Sequence, residues 1–148
     1  MHIYVDADAC PVVQPIVDVA HAYGLSVTLV KNYSHYSHSE YPAHVTTVYV
    51  DKGSDAADFK IVQLAKKGDI VITQDYGLAS LCLNKQCYVM HHKGFLFTEH
   101  NIDRLLHSRH MSMIARRSGE RTKGPKAFSK EDENAFIEAF EQLITEKL

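Results

Sequence analysis

The chain has 148 residues, of which 45% are hydrophobic and 23% are charged, as in an average soluble globular domain. This composition excludes a disordered tail, a fibrous repeat and a low-complexity linker, and the length predicts a single domain over residues 1–148. No uncharged apolar run approaches the ~20 residues that span a bilayer. With three scattered cysteines and an acidic N-terminal stretch, the protein is expected to be cytoplasmic and to have no membrane partner.

The net charge is only −2, but its distribution along the chain is uneven. Residues 1–103 carry 7 basic and 11 acidic side chains, residues 104–126 carry 7 and 1, and residues 127–148 carry 2 and 6. A basic stretch between acidic flanks indicates either a binding site for a polyanion or an ordinary solvated surface. Charge alone does not choose between these two interpretations.

Short β-branched runs alternate with helical patterns over the first ninety residues, which is typical of a parallel α/β sheet. Strands are predicted at 2–5, 25–30, 45–50, 70–73 and 87–90. Helices are predicted to begin at Pro11, near Ser54, at Asp75 and after Thr98, and a last one follows a capping box formed by Ser129 and Asp132. We therefore expect an α/β fold: a three-layer, Rossmann-like, five-stranded and mostly parallel sheet with flanking helices and a helical C-terminal extension. Within it, the predicted segments are a core (1–115), a basic loop (116–128) and a C-terminal helix (129–148).

Aspartates occur at the ends of the predicted strands and at the starts of the helices that follow. In a doubly wound sheet, ligands bind beyond the carboxyl ends of the strands, where the strand order reverses. If the first and fourth strands are neighbours there, several carboxylates converge, and such a cluster is costly unless Mg²⁺ or Mn²⁺ neutralises it. The predicted metal ligands are Asp6, Asp55, Asp58 and Asp75, and Asp8 is a further ligand or orients a water.

Ordinary structural roles explain some of these aspartates equally well. Asp75 is suited to capping its helix, and Asp55 and Asp58 lie in a first turn, where the helix dipole favours negative charge. Asp6 and Asp8 are harder to explain in this way, because the cap before Pro11 is predicted to be Cys10. The set as a whole favours a functional site.

Five segments of the sequence resemble the YaiI/YqxD family of uncharacterised bacterial proteins: VDADACPV, KGSDAADFKIV, GDIVITQDYGLA, NIDRLLHSRH and RTKGPKAFSKED. That family is similar to the PIN-like and NYN nucleases, which have a five-stranded Rossmann-like sheet and a Mg²⁺-binding aspartate cluster. The resemblance implies that Asp6 matches the first-strand aspartate, that Asp75 matches the aspartate after the fourth strand, and that Asp55 matches the middle acid, with Asp58 close by. Either Asp55 or Asp58 fits that middle position, and Asp8 has no fixed counterpart in most PIN domains.

Three other features of the sequence are compatible with different chemistry. Cys10 is either a structural residue or a nucleophile at a helix start. The Asp6-Ala7-Asp8 triplet is similar to the motif of phosphatases that use an aspartate nucleophile, in which case Lys52 or Lys93 would have to serve as the required lysine. The pair His91-His92 fits no zinc spacing, although His91 follows a strand at the same edge as the aspartates.

The basic segment offers cations suited to phosphate oxygens, because arginine binds them with two parallel hydrogen bonds. The residues predicted to bind nucleic acid are Arg116, Arg117, Arg121, Lys123 and Lys126. The structural alternative is that they pair with the acidic side chains of the last helix.

Together, these patterns predict a metal-dependent nuclease, with RNA favoured over DNA. In this prediction Asp6, Asp8 and Asp75 are the catalytic residues, and Thr73 donates a hydrogen bond that supports them at the strand end. A non-catalytic module that binds RNA or protein is the first alternative, and a small-molecule phosphatase with Asp6 as nucleophile is the second.

Overall fold

A computed structural model of the chain describes residues 1–33, 40–51, 53, 55–119 and 127–148. Strands and helices alternate along most of this length. The strands are β1 (His2–Asp6), β2 (Ser26–Asn32), β3 (Val45–Val50), β4 (Ile70–Ile72), β5 (Tyr88–Met90) and β6 (Leu96–Phe97). The helices are α1 (Val13–Ala22), α2 (Ala56–Leu64), α3 (Tyr76–Asn84), α4 (Glu99–Arg117) and α5 (Lys130–Lys147).

All six strands belong to one sheet in the order β3-β2-β1-β4-β5-β6. The first five in this order are parallel, and β1 pairs with both β2 and β4, so the first and fourth strands along the chain are neighbours, the condition on which the convergence of the aspartates depends. The prediction of five strands was wrong, because β6 pairs antiparallel with β5 at the sheet edge. A strand of only two residues is too short to show an alternating hydrophobic pattern, so no signal in the sequence marks it.

Helices cover both faces of the sheet and create two hydrophobic cores. On one face, Ile16 of α1 and Phe136 and Phe140 of α5 pack against β1 and β2. On the other, Ile61 of α2 and Leu78 of α3 pack, with residues of α4, against β4 and β5. This is the expected three-layer α/β arrangement, consistent with a Rossmann-like fold.

The helix ends show which sequence signals were reliable. Thr98 and Ser129 each form a complete capping box, as their sequence contexts indicate. The predicted start of α1 at Pro11 was wrong, because the helix begins at Val13 and its N-cap, Val12, makes no side-chain capping bond. Cys10 is therefore not the cap of this helix.

The prediction that a basic loop begins at residue 116 was also wrong. Helix α4 continues to Arg117, so Arg116 and Arg117 are helical. No glycine or proline interrupts the chain between residues 99 and 117, and arginine is a good helix former. The other cations predicted to bind nucleic acid lie outside the described residues: Arg121, Lys123 and Lys126. Among the described helices, none has the length and apolarity needed to cross a membrane.

Candidate functional site

Four of the predicted aspartates line one cavity of about 230 Å³ at the carboxyl ends of β1 and β4. We call this cavity the acidic pocket. Because β1 and β4 are adjacent and their connections leave in opposite directions along the sheet, this is the position where ligands bind in doubly wound folds. Its polar lining residues are Asp6, Asp8, Asn32, Asp58, Gln74 and Asp75.

Thr73 links the residues that follow the two central strands. Its side chain is 2% exposed, and its hydroxyl donates a hydrogen bond of 2.9 Å to Asp6 Oδ2. The same hydroxyl accepts a bond of 3.0 Å from the Asp75 backbone N–H. The hydrogen bond expected of Thr73 is therefore present, and it fixes the Asp6 carboxylate relative to the start of α3.

Asp75 both caps a helix and lines the acidic pocket, the two roles between which the sequence did not decide. Its Oδ1 accepts a hydrogen bond of 2.9 Å from the Leu78 N–H and so caps α3. The same side chain lines the acidic pocket. A capping carboxylate retains lone pairs for other partners, so these two roles are compatible.

Asp8 is held by the end of β2. The Asn32 backbone N–H donates to Asp8 Oδ1 at 3.1 Å, and the Asn32 side-chain amide donates to Oδ2 at 3.2 Å. These bonds tie the loop after β1 to the last residue of β2. The sequence did not single out Asn32, because the second strand was predicted to end at residue 30 and Asn32 lies beyond that end.

Asp55 and Asp58 differ in their relation to the acidic pocket. Asp58 lines it, whereas Asp55 is exposed and lies in a neighbouring depression that also contains Asp58. Asp55 occupies the N-cap position of α2 without making a side-chain capping bond. The geometry therefore favours Asp58 over Asp55 as the middle acidic residue.

Burial and mutual repulsion make two of the carboxylates, those of Asp6 and Asp58, harder to ionise. Burial raises the pKa of Asp58 to about 7, and the charges of Asp75, Asp6 and Asp55 act in the same direction, whereas Arg109 opposes them. Burial also raises the pKa of Asp6, against the effect of the Thr73 hydrogen bond. For both groups, burial raises the pKa more than the like charges of the neighbouring carboxylates do.

Within the described ranges, no group of three or more His, Cys, Asp and Glu side chains is arranged to hold a metal ion. The pocket therefore brings carboxylates together without forming a complete protein cage.

A larger groove of about 520 Å³ connects the acidic residues to α4. Asp6 and Asp75 form one wall, and Arg109 and Arg116 lie on the other. Ser108, which precedes Arg109, and Ser112, which lies between the two arginines, line the same groove. We call this the α4 groove. Arg109 was not predicted, although its spacing of seven residues from Arg116, two helical turns, places both on one face.

The basic residues of α4 are not neutralised by the last helix. In the described part of the chain, the one ion pair joins Lys130 and Glu133, both in α5, at 3.5 Å. The alternative in which Arg116 and Arg117 pair with α5 therefore finds no support in these residues.

The residues considered for other chemistry are Cys10, Lys93 and Lys52. Burial raises the pKa of Cys10 to about 11, so its thiol is protonated at neutral pH and unsuited to nucleophilic attack. Lys93 lines a different cavity from the acidic pocket, together with His91 and His92. Lys52, the other lysine considered for a phosphatase, lies outside the described residues.

Comparison with known proteins shows the family of this chain. A UPF0178 protein from Oceanobacillus iheyensis is 59% identical over 145 residues, covering 98% of this chain and 99% of the relative. A UPF0178 protein from Bacillus cereus is 56% identical over 144 residues, covering 97% and 99%. No solved structure shows a significant match. The family model described as "Uncharacterized BCR, YaiI/YqxD family" matches residues 4–146, and the chain belongs to this YaiI/YqxD family.

Proposed function

We propose that the protein is a divalent-metal-dependent nuclease that hydrolyses phosphodiesters, with RNA as the favoured substrate. The observation that carries this proposal is the convergence of Asp6, Asp8, Asp58 and Asp75 on one pocket at the switch point of the sheet. A cytoplasmic location, where the three free cysteines stay reduced, is part of the same proposal.

The donor set of the acidic pocket fits Mg²⁺ or Mn²⁺. Both ions prefer oxygen ligands, and the lining residues supply carboxylates and amides without sulfur or imidazole. Mg²⁺ is ordinarily held by one or two carboxylates together with waters and substrate phosphates, so an incomplete protein cage suits it. The raised pKa values of Asp6 and Asp58 also indicate a pocket that gains stability when a cation enters.

Each residue of the site has a distinct part in this proposal. Asp6, Asp75 and Asp58 would hold the cation, with Asp55 as the alternative to Asp58, and Asp8 would add a ligand or orient the attacking water. When bound, the metal supplies a Lewis acid that polarises the phosphoryl group and activates water. Thr73 keeps Asp6 in place through its 2.9 Å hydrogen bond.

In this proposal, the cations of α4 hold the substrate backbone beside the acidic residues. Arg109 and Arg116 share the α4 groove with Asp6 and Asp75, so phosphates flanking the reacting one would meet positive charge. Arg117, Arg121, Lys123 and Lys126 follow in sequence and are proposed to extend this contact.

The test is cleavage of a labelled single-stranded RNA with Mg²⁺, with Mn²⁺ and with EDTA. Asp75→Asn is the informative variant, because asparagine caps a helix as well as aspartate but removes the charge. We expect cleavage by the wild type only with metal, and a loss of at least about 100-fold in the variant, a size typical for removal of one electrostatic contributor in an active site.

Asp103→Asn is the matched control, because Asp103 is an exposed carboxylate on α4. It should cleave at the wild-type rate. Metal-independent RNA binding without cleavage would instead support a non-catalytic binding module. Release of phosphate from small phosphomonoesters, with a trapped phosphoenzyme at Asp6, would support the phosphatase alternative.

A further inference from the structure

A second cavity of about 510 Å³ opens beside the acidic residues and is lined mainly by rings. We call it the aromatic pocket. It shares Ala9 and Gln74 with the acidic pocket, and Gln74, Tyr76 and Leu105 with the α4 groove, so the three cavities are adjacent. The ring-bearing and charged residues that matter here are Tyr76, His91, His92, Lys93, Phe95 and Phe128.

Two rings of this pocket stack on each other, and one of the two is exposed to solvent. His91 and Phe95 stack at 4.6 Å between centroids with an interplanar angle of 16°. His91 is only 8% exposed, whereas Phe95 is 37% exposed although one of its faces covers His91. Phe95 also contacts Phe97 at 5.2 Å between ring centroids with an interplanar angle of 70°, and its exposed part presents the aromatic surface that a planar ligand would meet. His92 contacts Phe128 edge-on at 5.6 Å, and both rings line the same pocket.

Hydrogen bonding makes His91 a neutral ring with a defined donor. The Lys93 backbone N–H donates to His91 Nδ1 at 3.0 Å, so in the neutral ring the proton is on Nε2. Burial lowers the pKa of His91 to about 4, which is consistent with this neutral state at physiological pH. Within the described residues Nε2 has no hydrogen-bond partner, which leaves it available to a carbonyl or ring nitrogen of a ligand.

The pocket is preformed on a rigid turn. In the turn between β5 and β6, the Gly94 N–H donates to His91 O, and the His91 N–H donates to Phe95 O, each at 2.9 Å. A Cβ at Gly94 would lie 2.9 Å from the Ala135 carbonyl oxygen, so the turn packs directly against α5. A ring held in this way loses little freedom when a planar ligand stacks on it.

We propose that the aromatic pocket binds the unpaired base of a nucleotide next to the reacting phosphodiester, which makes single-stranded nucleic acid the substrate class. This inference rests on the proposed function. The base stacks on Phe95, His91 Nε2 donates to its acceptor edge, and Lys93 meets an adjoining phosphate. Only an unpaired base exposes its faces and edges to such a pocket, because a duplex keeps them stacked and paired.

The test uses a single-stranded RNA oligonucleotide that contains 2-aminopurine, a base whose fluorescence is quenched by stacking. Binding is measured at low salt in EDTA, so that no cleavage occurs, with the full-length protein. We expect the wild type to quench the probe. Phe95→Leu keeps apolar bulk but removes the aromatic face, so it should lose most of the quenching and raise Kd by about 10-fold. Tyr76→Leu, a second ring of the pocket, should change both readouts in the same direction.

Tyr88→Leu is the matched control, because Tyr88 is a half-buried aromatic residue at the amino end of β5, away from the carboxyl ends of the strands, and lines none of the three cavities. It should bind and quench like the wild type. The proposal of a base-binding pocket would be overturned if Phe95→Leu and Tyr76→Leu bound the probe and quenched it as the wild type does. If the wild type still cleaved RNA with metal, the proposed function would stand. Failure of the wild type to bind or cleave RNA would overturn both.

Discussion

Thr73 is the residue on which the geometry of the acidic pocket depends most directly. Its buried hydroxyl donates to Asp6 and accepts from the Asp75 N–H. Thr73→Val conserves shape but leaves that N–H without its partner, at a cost of about 1–3 kcal/mol. In a chain of this size we expect the Tm to fall by roughly 3–8 °C. Thermal unfolding followed by circular dichroism checks this.

Thr73→Ser is the control for that change, because serine retains a hydroxyl at the same position. It should stay within roughly 2 °C of the wild type if hydrogen bonding is the main contribution. Equal losses in the valine and serine variants would instead assign the effect to packing of the threonine methyl group.

Asp58 destabilises the metal-free protein at neutral and alkaline pH. Its pKa is raised to about 7 in the folded state from an ordinary value of 3.8, so between these values the folded state binds more protons than the unfolded state. Stability is therefore lost as the pH rises through this window, and the cost is complete above pH 7. We expect Asp58→Asn in EDTA to raise the Tm by roughly 2–4 °C at pH 8, or about 1 kcal/mol, and by nothing near pH 4.

Tm measurements of both proteins between pH 4 and 8 check this prediction. Asp55→Asn is the comparison, since Asp55 is exposed and does not line the acidic pocket, and its gain should be smaller. A gain for Asp58→Asn that is constant across the pH range would contradict the electrostatic explanation.

At the scale of single residues, the sequence predicted most of the aspartates that line the acidic pocket. The strongest indication came from Asp6 and Asp8, which follow the first predicted strand and are not needed to cap a helix. The sequence could not distinguish Asp58 from Asp55, since both lie at the start of one helix, three positions apart, and only the fold shows which of them lines the acidic pocket. It also missed Asn32, whose importance depends on its pairing across the sheet with the loop that carries Asp8.

At the scale of elements, the β5–β6 turn depends on having glycine at position 94. Gly94 has φ +97°, and a Cβ there would meet the Ala135 carbonyl oxygen at 2.9 Å. Gly94→Ala therefore combines backbone strain of about 1–2 kcal/mol with displacement of the turn from α5. We expect the Tm to fall by at least about 5 °C.

Gly24→Ala separates the two contributions. Gly24 follows α1 with φ +69°, and no atom lies within 4 Å of a Cβ built there. The Gly24→Ala variant would therefore have backbone strain without a steric clash, and its loss of Tm should be smaller than that of Gly94→Ala. Comparable losses at the two positions, measured by thermal unfolding, would show that the contact with α5 contributes little.

Helix boundaries illustrate which local signals decide an element. The helix starts predicted after Thr98 and Ser129 were correct, because a capping box is formed by residues three positions apart and does not depend on the rest of the fold. Pro11 was misleading because proline is compatible with a first helical turn without requiring one. The sixth strand was missed because its two residues are defined by pairing with β5 and not by their own pattern.

At the scale of the whole molecule, the fold joins two regions of opposite charge that are distant in sequence. Asp6 comes from the start of the chain and Arg116 from the end of α4, yet both line the α4 groove. The sequence identified the basic segment from its charge. It did not identify Arg109, because the groove that gives this residue its place is formed by packing α4 beside the strand ends.

The salt dependence of RNA binding tests whether the strand follows this groove. Each phosphate neutralised on a single strand contributes about −0.7 to the slope of log K against log[salt]. Replacing Arg109 and Arg116 together with glutamine should therefore flatten the slope by about 1.4 units. Replacing Arg117 and Lys123 together should flatten it by roughly one to one and a half units if the contact continues beyond α4. Fluorescence anisotropy of labelled single-stranded RNA at several salt concentrations measures these slopes.

Arg104→Gln is the control, because Arg104 is an exposed cation on α4 that does not line the groove. This substitution should leave the slope unchanged. If Arg104→Gln flattens the slope as much per residue as the groove variants, the protein attracts RNA through its general basic charge, and the α4 groove is not the path of the strand.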